Sequence, residues 1–285
     1  MTEEALPVGN TPLLELGGSV FAKAEFLNPS GSIKDRVVEF LLGKAAENGE
    51  LEKGTIVTEA TSGNTGISLA YLAPLFGVRA KIFMPRSASA ERKKMIELLG
   101  AELELTETRE EADALAKEWG RKKGFYYLNQ FESPLNPLAH YLGTGREILG
   151  QFPGKISTFV ASTGTGGTLA GIGRRIREKF PQAEIIGVIP KEKDRGIEGL
   201  RRDYSKKIVP AGTADRIARV SSRRAIESAR FLVREKGVLS GISSGANYYA
   251  ARKYGKGNTI TILPDSWNRY YSTELFSFTE GLENN

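Results

Sequence analysis

The chain has 285 residues, 40% hydrophobic and 26% charged, a soluble globular composition with room for two modest domains. With no cysteine and one histidine, His140, disulfides, thiolate zinc sites and a cysteine nucleophile are excluded, and a metal is not expected. The net charge is +6, but its arginines are scattered (Arg174, Arg175 and Arg177 together, Arg201, Arg202, Arg223 and Arg224 elsewhere) without interleaved aromatics, so nucleic acid is not an expected partner.

From the N-terminus, MTEEALPVGNTP is acidic and lacks the basic-then-apolar order of a secretory signal. No apolar run reaches the roughly 18 residues of a membrane span. The cytosol is therefore the expected compartment, with no membrane partner. Strands are expected at Thr55–Glu59, Ala80–Met84, Glu102–Thr106, Ser157–Ala161, Glu184–Ile189 and Thr259–Leu263. Helical periodicity lies between them, as in Val37, Val38, Leu41, Leu42 and Ala45, or Met95, Ile96, Leu98 and Leu99. Strands alternating with helices indicate an α/β protein with parallel sheets. The strands fall into two sets on either side of about residue 130, and Phe131–Pro137 has the prolines and polar residues of a crossing segment.

Several short segments can carry chemistry. In Asn28–Arg36 (NPSGSIKDR), Lys34 begins a helix. The positive end of the helix dipole disfavours its charged form, which helps a Schiff-base amine; the alternative is an exposed lysine beside Asp35. Thr61-Ser62-Gly63-Asn64-Thr65-Gly66 joins a strand to a helix, and its hydroxyls and N–H groups could clamp a carboxylate or merely cap the helix. Ser162–Thr168 (STGTGGT) likewise follows a strand and opens a helix through Arg175. Its glycines let N–H groups converge on a phosphate, although a tight turn would use the same residues. A dinucleotide fingerprint is excluded because Leu169 stands where its third glycine belongs, and no Gly-Lys pair has the upstream glycine of a nucleotide P-loop. Ser240–Ala246 (SGISSGA) is a third small-residue loop before a helix, and Pro264-Asp265-Ser266 closes the last strand.

In this order the segments resemble the cysteine synthase and cystathionine β-synthase family, the fold type II pyridoxal phosphate enzymes, cysteine synthases most closely. The resemblance starts at Gly9-Asn10-Thr11-Pro12-Leu13 and ends at Pro264-Asp265-Ser266 with Arg269-Tyr270 and Ser272-Thr273. Ser89–Leu99, Gln130-Phe131, Asn136-Pro137, His140 and Thr144-Gly145 lie between. It implies two three-layer α/β domains with largely parallel sheets, of the tryptophan synthase β-like kind. A smaller mobile domain of about residues 29–130 would stand against a larger one of 1–28 and 131–285. It also implies pyridoxal 5'-phosphate as cofactor, a homodimer, and replacement of the β-substituent of an activated serine, O-phosphoserine or O-acetylserine, by sulfide or a thiol. Cystathionine synthesis, a serine/threonine dehydratase and a catalytically silent binding relative are the alternatives.

Residue by residue, Lys34 matches the lysine that carries the cofactor and later moves the substrate α-proton. Asn64 matches the amide on the cofactor's ring hydroxyl, and Gly164, Thr165, Gly166, Gly167 and Thr168 match the phosphate cradle. Ser243 matches the hydroxyl facing the ring nitrogen, where a serine in place of a carboxylate leaves the ring largely unprotonated. Thr61, Ser62, Thr65 and Gln130 match the grip on the substrate carboxylate, and His140 reads as structural. Two departures stand out. Only Lys191–Arg195 separate Pro190 from Gly196-Ile197, and Trp267 puts an indole where cysteine synthases commonly have glycine.

Overall fold

Gly17, Gly18 and Ser19, all with positive φ, reverse the chain between β1 (Leu13–Gly17) and β2 (Val20–Lys23), which pair antiparallel. The computed structural model describes residues 7–191, 197–201 and 207–277. Arg195, Gly196 and Arg202 lie outside the described residues. After the hairpin comes α1 (Lys34–Glu47), which buries Val37, Val38, Leu41, Leu42 and Ala45, the stripe marked by the helical period.

Strands and helices then alternate as β3 (Ile56–Ala60), α2 (Asn64–Leu72), β4 (Arg79–Pro85), α3 (Ala90–Leu98), β5 (Glu102–Thr106), α4 (Arg109–Trp119) and β6 (Phe125–Tyr127). These strands form one all-parallel sheet in the order β5-β4-β3-β6. Val37, Leu41, Ile67, Leu69 and Ile96, from α1, α2 and α3, cover one face. On the other, Ala112 and Ala116 of α4 pack on Ala60 and Phe83.

The remaining elements are α5 (Leu135–Leu142), α6 (Thr144–Gln151), β7 (Thr158–Ser162), α7 (Gly167–Lys179), β8 (Glu184–Pro190), β9 (Arg216–Val220), α8 (Ser222–Lys236), α9 (Ile242–Tyr254) and β10 (Thr259–Ile262). The second sheet has the order β1-β2-β10-β7-β8-β9, and only the β1 pairing is antiparallel. Ile148 of α6 and Leu169 and Ile172 of α7 cover one face; Ala225 and Ala229 of α8 and Ala246 and Ala250 of α9 cover the other. Each sheet is the middle of three layers, giving two α/β units.

All six expected strands are present to within one residue at either end. Two local readings need correction. Leu98, read as part of an apolar helical face, is 86% exposed, and α3 buries Arg92 and Ile96 instead. The last three residues of the expected crossing segment, Leu135–Pro137, form the first turn of α5.

Candidate active site

In parallel sheets every strand points its carboxyl end the same way, and the loops leaving those ends converge. Here β3 runs into Thr61–Gly63 before α2, β7 into Thr163–Gly166 before α7, and β10 into Leu263–Ser266. The first two loops border a cavity of about 370 Å³ lined by Lys34, Thr61, Ser62, Asn64, Thr65, Gln130, Gly164, Thr165 and Arg201. A smaller cavity of about 50 Å³ shares Lys34, Asn64, Gly164 and Thr165 and adds Gly166, Thr168, Ser243 and Asp265. Of the residues expected to hold cofactor or substrate, only Gly167 lines neither; it opens α7.

Lys34 is the first residue of α1 and lines both cavities. Desolvation draws its ammonium pKa below the ordinary lysine value, opposed only in part by the Asp265 charge. Asp35 is not its partner. That carboxylate accepts from the Ser30 N–H at 2.7 Å, from the Ser68 hydroxyl at 2.6 Å and from the Ser30 hydroxyl. The bland reading, an exposed lysine beside Asp35, therefore fails on both counts.

The glycine loop is shaped so that side chains cannot enter it. A Cβ on Gly164 would stand 2.5 Å from the Gly199 carbonyl oxygen, and one on Gly167 would collide with Asn136 Oδ1. Gly166 has φ +92°, which favours glycine. Asn136 Nδ2 donates to Thr165 Oγ1 at 3.0 Å and to the Gln130 carbonyl at 2.8 Å, tying this loop to the end of the first unit. The loop forms the N-terminal end of the 13-residue α7, so positive potential and N–H groups point into the cavity.

Across the cavity, the Thr65 hydroxyl donates to Gln130 Oε1 at 2.6 Å. The Gln130 amide nitrogen donates to Glu59 Oε1 at 3.2 Å and to the Ala60 carbonyl at 3.3 Å, and its backbone N–H donates to Glu59 Oε2 at 3.2 Å. Glu59 is fully buried, and desolvation pushes its pKa up to about 8 against the N–H bonds that favour the anion.

Asp265 lines the smaller cavity. Its carboxylate accepts from Asn64 Nδ2 and from the Tyr270 hydroxyl, each at 2.7 Å, and lies 3.4 Å from Ser243 Oγ. Arg269 Nη1 donates to Asn64 Oδ1 at 2.6 Å, which fixes the direction of that amide. The Ser243 hydroxyl thus has the Asp265 carboxylate beside it. Glu59 was not singled out from the sequence, and Asp265, Arg269 and Tyr270 were named there only within matching segments, without a role. A charged or protonatable residue adjoining a small-residue loop was the available signal. Arg92, another buried residue, lines the larger cavity, pairs with Glu198 and lies 5.3 Å from the centroid of the Tyr270 ring.

His140 sits behind the glycine loop. Its ring nitrogens meet Thr144 Oγ1 at 3.2 Å and Thr168 Oγ1 at 3.3 Å. Burial, with Lys34 and Arg36 adding repulsion, holds its pKa well below the usual imidazole value. It is a neutral tether between α5, α6 and α7.

Two α/β units with their strand ends around a lysine, a glycine cradle and a hydroxyl-rich loop define an anion-binding enzyme of the two-domain α/β class. Residues 5–265 match the family model described as pyridoxal-phosphate dependent enzyme. The chain belongs to that family. It is 38% identical to a cysteine synthase of Staphylococcus aureus (strain N315), over 96% of this chain and 96% of that protein. It is also 38% identical to cysteine synthase B of Escherichia coli (strain K12), over 96% and 97%. Among solved structures, O-ureido-L-serine synthase superimposes with a TM-score of 0.89 at 30% identity, covering 98% of this chain and 95% of that one. The O-acetylserine dependent cystathionine beta-synthase from Helicobacter pylori does so with a TM-score of 0.89 at 30% identity, covering 95% and 97%. No helix among the described residues is long and apolar enough to cross a membrane.

The cavity suits the family's cofactor. A desolvated amine, an N–H cradle closed to side chains and a fixed amide at Asn64 lie around one space.

Proposed function

We propose that this enzyme makes L-cysteine from an activated serine and sulfide, using pyridoxal phosphate held on Lys34. The observation that carries the reading is the placement of the Lys34 amine and the Gly164–Thr168 cradle on the same cavity, with the Thr61–Thr65 loop and Gln130 opposite. Gly164, Thr165, Gly166, Gly167 and Thr168 hold the cofactor's phosphate, Asn64 its ring hydroxyl, and Ser243 and Asp265 lie toward its ring nitrogen. Bound pyridoxal phosphate supplies a conjugated electron sink for the substrate α-carbon. Lys34, with its lowered pKa, takes the α-proton and returns it. Thr61, Ser62, Thr65 and Gln130 bind the substrate carboxylate. Residues of about 29–130 close over it as a unit, excluding water while the β-substituent is exchanged.

Arg109 and Arg201 line the larger cavity, and among the described residues no carboxylate stands at ion-pair distance from either. This favours O-phosphoserine over O-acetylserine as donor. The resemblance also supports a cytosolic homodimer, which sedimentation of the holoenzyme would test.

Two measurements test the function. Purified protein incubated with O-phosphoserine, O-acetylserine or serine, each with sulfide or homocysteine, should form cysteine from an activated serine and sulfide fastest. Borohydride reduction should fix the cofactor onto Lys34, and a reduced adduct mapped to another lysine would overturn the assignment.

A further inference from the structure

Glu59 lies on β3, two residues before the hydroxyl loop, and no mechanistic step above uses it. Oε1 is met by the N–H of Ala60 at 3.1 Å and by Gln130 Nε2 at 3.2 Å, and Oε2 by the Gln130 backbone N–H at 3.2 Å. Every neighbour named is a donor, the environment of an ionised carboxylate. No cation pairs with it among the described residues; Lys117 of α4 belongs to Asp113 at 2.9 Å. The titratable groups facing it are Asp113 on α4, Tyr127 on β6, whose hydroxyl donates to Asp113 at 3.0 Å, and Lys117 itself; Glu132 acts on Tyr127 and Lys117.

In this arrangement the hydrogen bonds run from the cavity toward Glu59. The Thr65 hydroxyl donates to Gln130 Oε1, and Gln130 Nε2 donates to Glu59. Thr65 then presents lone pairs, not a proton, to the cavity, which repels a substrate carboxylate. A proton on Glu59 needs an acceptor. Turning the Gln130 amide end for end supplies one, since its oxygen and nitrogen have the same shape. The turn gives up the 3.3 Å bond to the Ala60 carbonyl. In exchange the whole chain reverses: Glu59 donates to the Gln130 oxygen, the Gln130 nitrogen donates to Thr65, and the Thr65 proton turns to the cavity.

We propose that Glu59 is a positioning residue whose proton, relayed through Gln130 and Thr65, sets the polarity of the carboxylate site, so that the amino-acid substrate binds to the Glu59-protonated enzyme. This rests on the reading of Thr65 and Gln130 as the carboxylate grip. The sign follows from burial, which keeps Glu59 protonated to about pH 8. Above that pH the substrate must bring a proton with it, and affinity falls about tenfold per pH unit.

L-Alanine is the probe, because it has the carboxylate and amine but no β-leaving group. Its dissociation constant is read from the holoenzyme's absorption spectrum between pH 6.5 and 9.5, for the wild type and for Glu59→Gln. The glutamine is neutral at every pH and can donate to the Gln130 oxygen. Titration of the alanine amine and of Lys34 is common to both proteins and cancels in the ratio of the two constants. The wild-type to variant ratio should be flat below about pH 7.5 and rise about tenfold per unit above pH 8. A flat ratio throughout, with both proteins responding to alanine, overturns the relay and leaves the functional reading intact. No spectral response of the wild type to alanine at any pH overturns both. Should Glu59→Gln fail to fold, Thr65→Val serves, since it removes the hydroxyl at the end of the chain. It should bind alanine more weakly at pH 7 and lose the extra weakening above pH 8; keeping that weakening unchanged would reject the proposal.

Discussion

The side-chain amide of Asn64 donates to the carboxylate of Asp265 at 2.7 Å across 201 residues of sequence. Asn64 opens α2 of the first unit, and Asp265 follows β10 of the second. The bond, with that from Arg269 to the Asn64 oxygen, holds the two halves of the site in register.

Asp265 also acts on Lys34, because its charge favours the ammonium that burial disfavours. Asp265→Asn keeps the shape and removes the charge, so the Lys34 pKa should fall further. In cofactor-free protein, the pH dependence of reductive methylation at Lys34, located by mass spectrometry, should shift to lower pH. A shift upward, or none, would remove Asp265 from the account of Lys34.

How much of this was legible in the sequence depends on how local each feature is. The buried parallel strands read as apolar runs, and β7 is buried over its first four residues. The edge strand β9, Arg-Ile-Ala-Arg-Val, is exposed at both arginines and lacks such a run. β6 has three residues, and β1 and β2 are a short hairpin around Gly17-Gly18-Ser19, so no long apolar period announces them. Within the site, Lys34, Asn64 and the glycine loop belong to contiguous small-residue motifs. Glu59 and Asp265 look ordinary along the chain. Their importance comes from burial and from partners 71 and 201 residues away.

The glycine and hydroxyl loops should separate on mutation. Gly167→Ala drives a methyl into Asn136 and displaces Thr165, which Asn136 holds. Cofactor retention should fall at least about tenfold, because N–H groups aimed at one point tolerate little movement. Thr61→Ala should leave cofactor affinity within about threefold and raise the amino-acid KM roughly tenfold or more, the loss of one hydrogen bond to a charged group at about 1.5–3 kcal/mol. Equal cofactor release from both variants would erase the division between cofactor and substrate loops.

Acid stability should report a network behind the site. Arg36, two residues after Lys34, holds Glu147 through both guanidinium ends at 2.6 and 2.8 Å, and Lys23 adds a contact at 2.6 Å. Burial pushes the Glu147 carboxyl up, but these bonds prevail and hold its pKa at about 2. A pKa depressed on folding contributes stability that is complete above the ordinary value of 4.5 and vanishes as pH falls toward 2. Urea midpoints should therefore decline between pH 5 and pH 3. Glu147→Gln should be about 2 kcal/mol less stable at pH 7, allowing for partial solvent contact, with a shallower acid decline. Parallel acid profiles for the two proteins would exclude Glu147 as a source of the loss.

Arg201 carries the proposed preference for O-phosphoserine. Of the three arginines that follow β8, Arg195, Arg201 and Arg202, Arg201 alone lies among the described residues. Its backbone is tied to the end of β7, with its N–H donating to the Thr163 carbonyl at 2.7 Å and the Thr163 hydroxyl donating to its carbonyl at 3.2 Å. The guanidinium lies 4.1 Å from the centroid of Phe131, the residue after Gln130, on the wall of the larger cavity. Desolvation, with help from Arg109, lowers its pKa to about 10, which leaves it charged at neutral pH. A phosphate ester carries nearly two negative charges, and a planar guanidinium can bind it through two N–H groups. Acetate has no charge until it leaves. Arg201→Met keeps the apolar stem against Phe131 and removes the charge. The O-phosphoserine KM should rise about tenfold to a hundredfold in this variant, with O-acetylserine changed less than about threefold. Raising the salt from about 0.05 to 0.5 M should depress wild-type turnover of O-phosphoserine more than that of O-acetylserine and should no longer discriminate between them in the variant. If O-acetylserine is the faster donor at every salt concentration and Arg201→Met treats both donors alike, Arg201 is only a lid for Phe131 and the preference for phosphate is wrong.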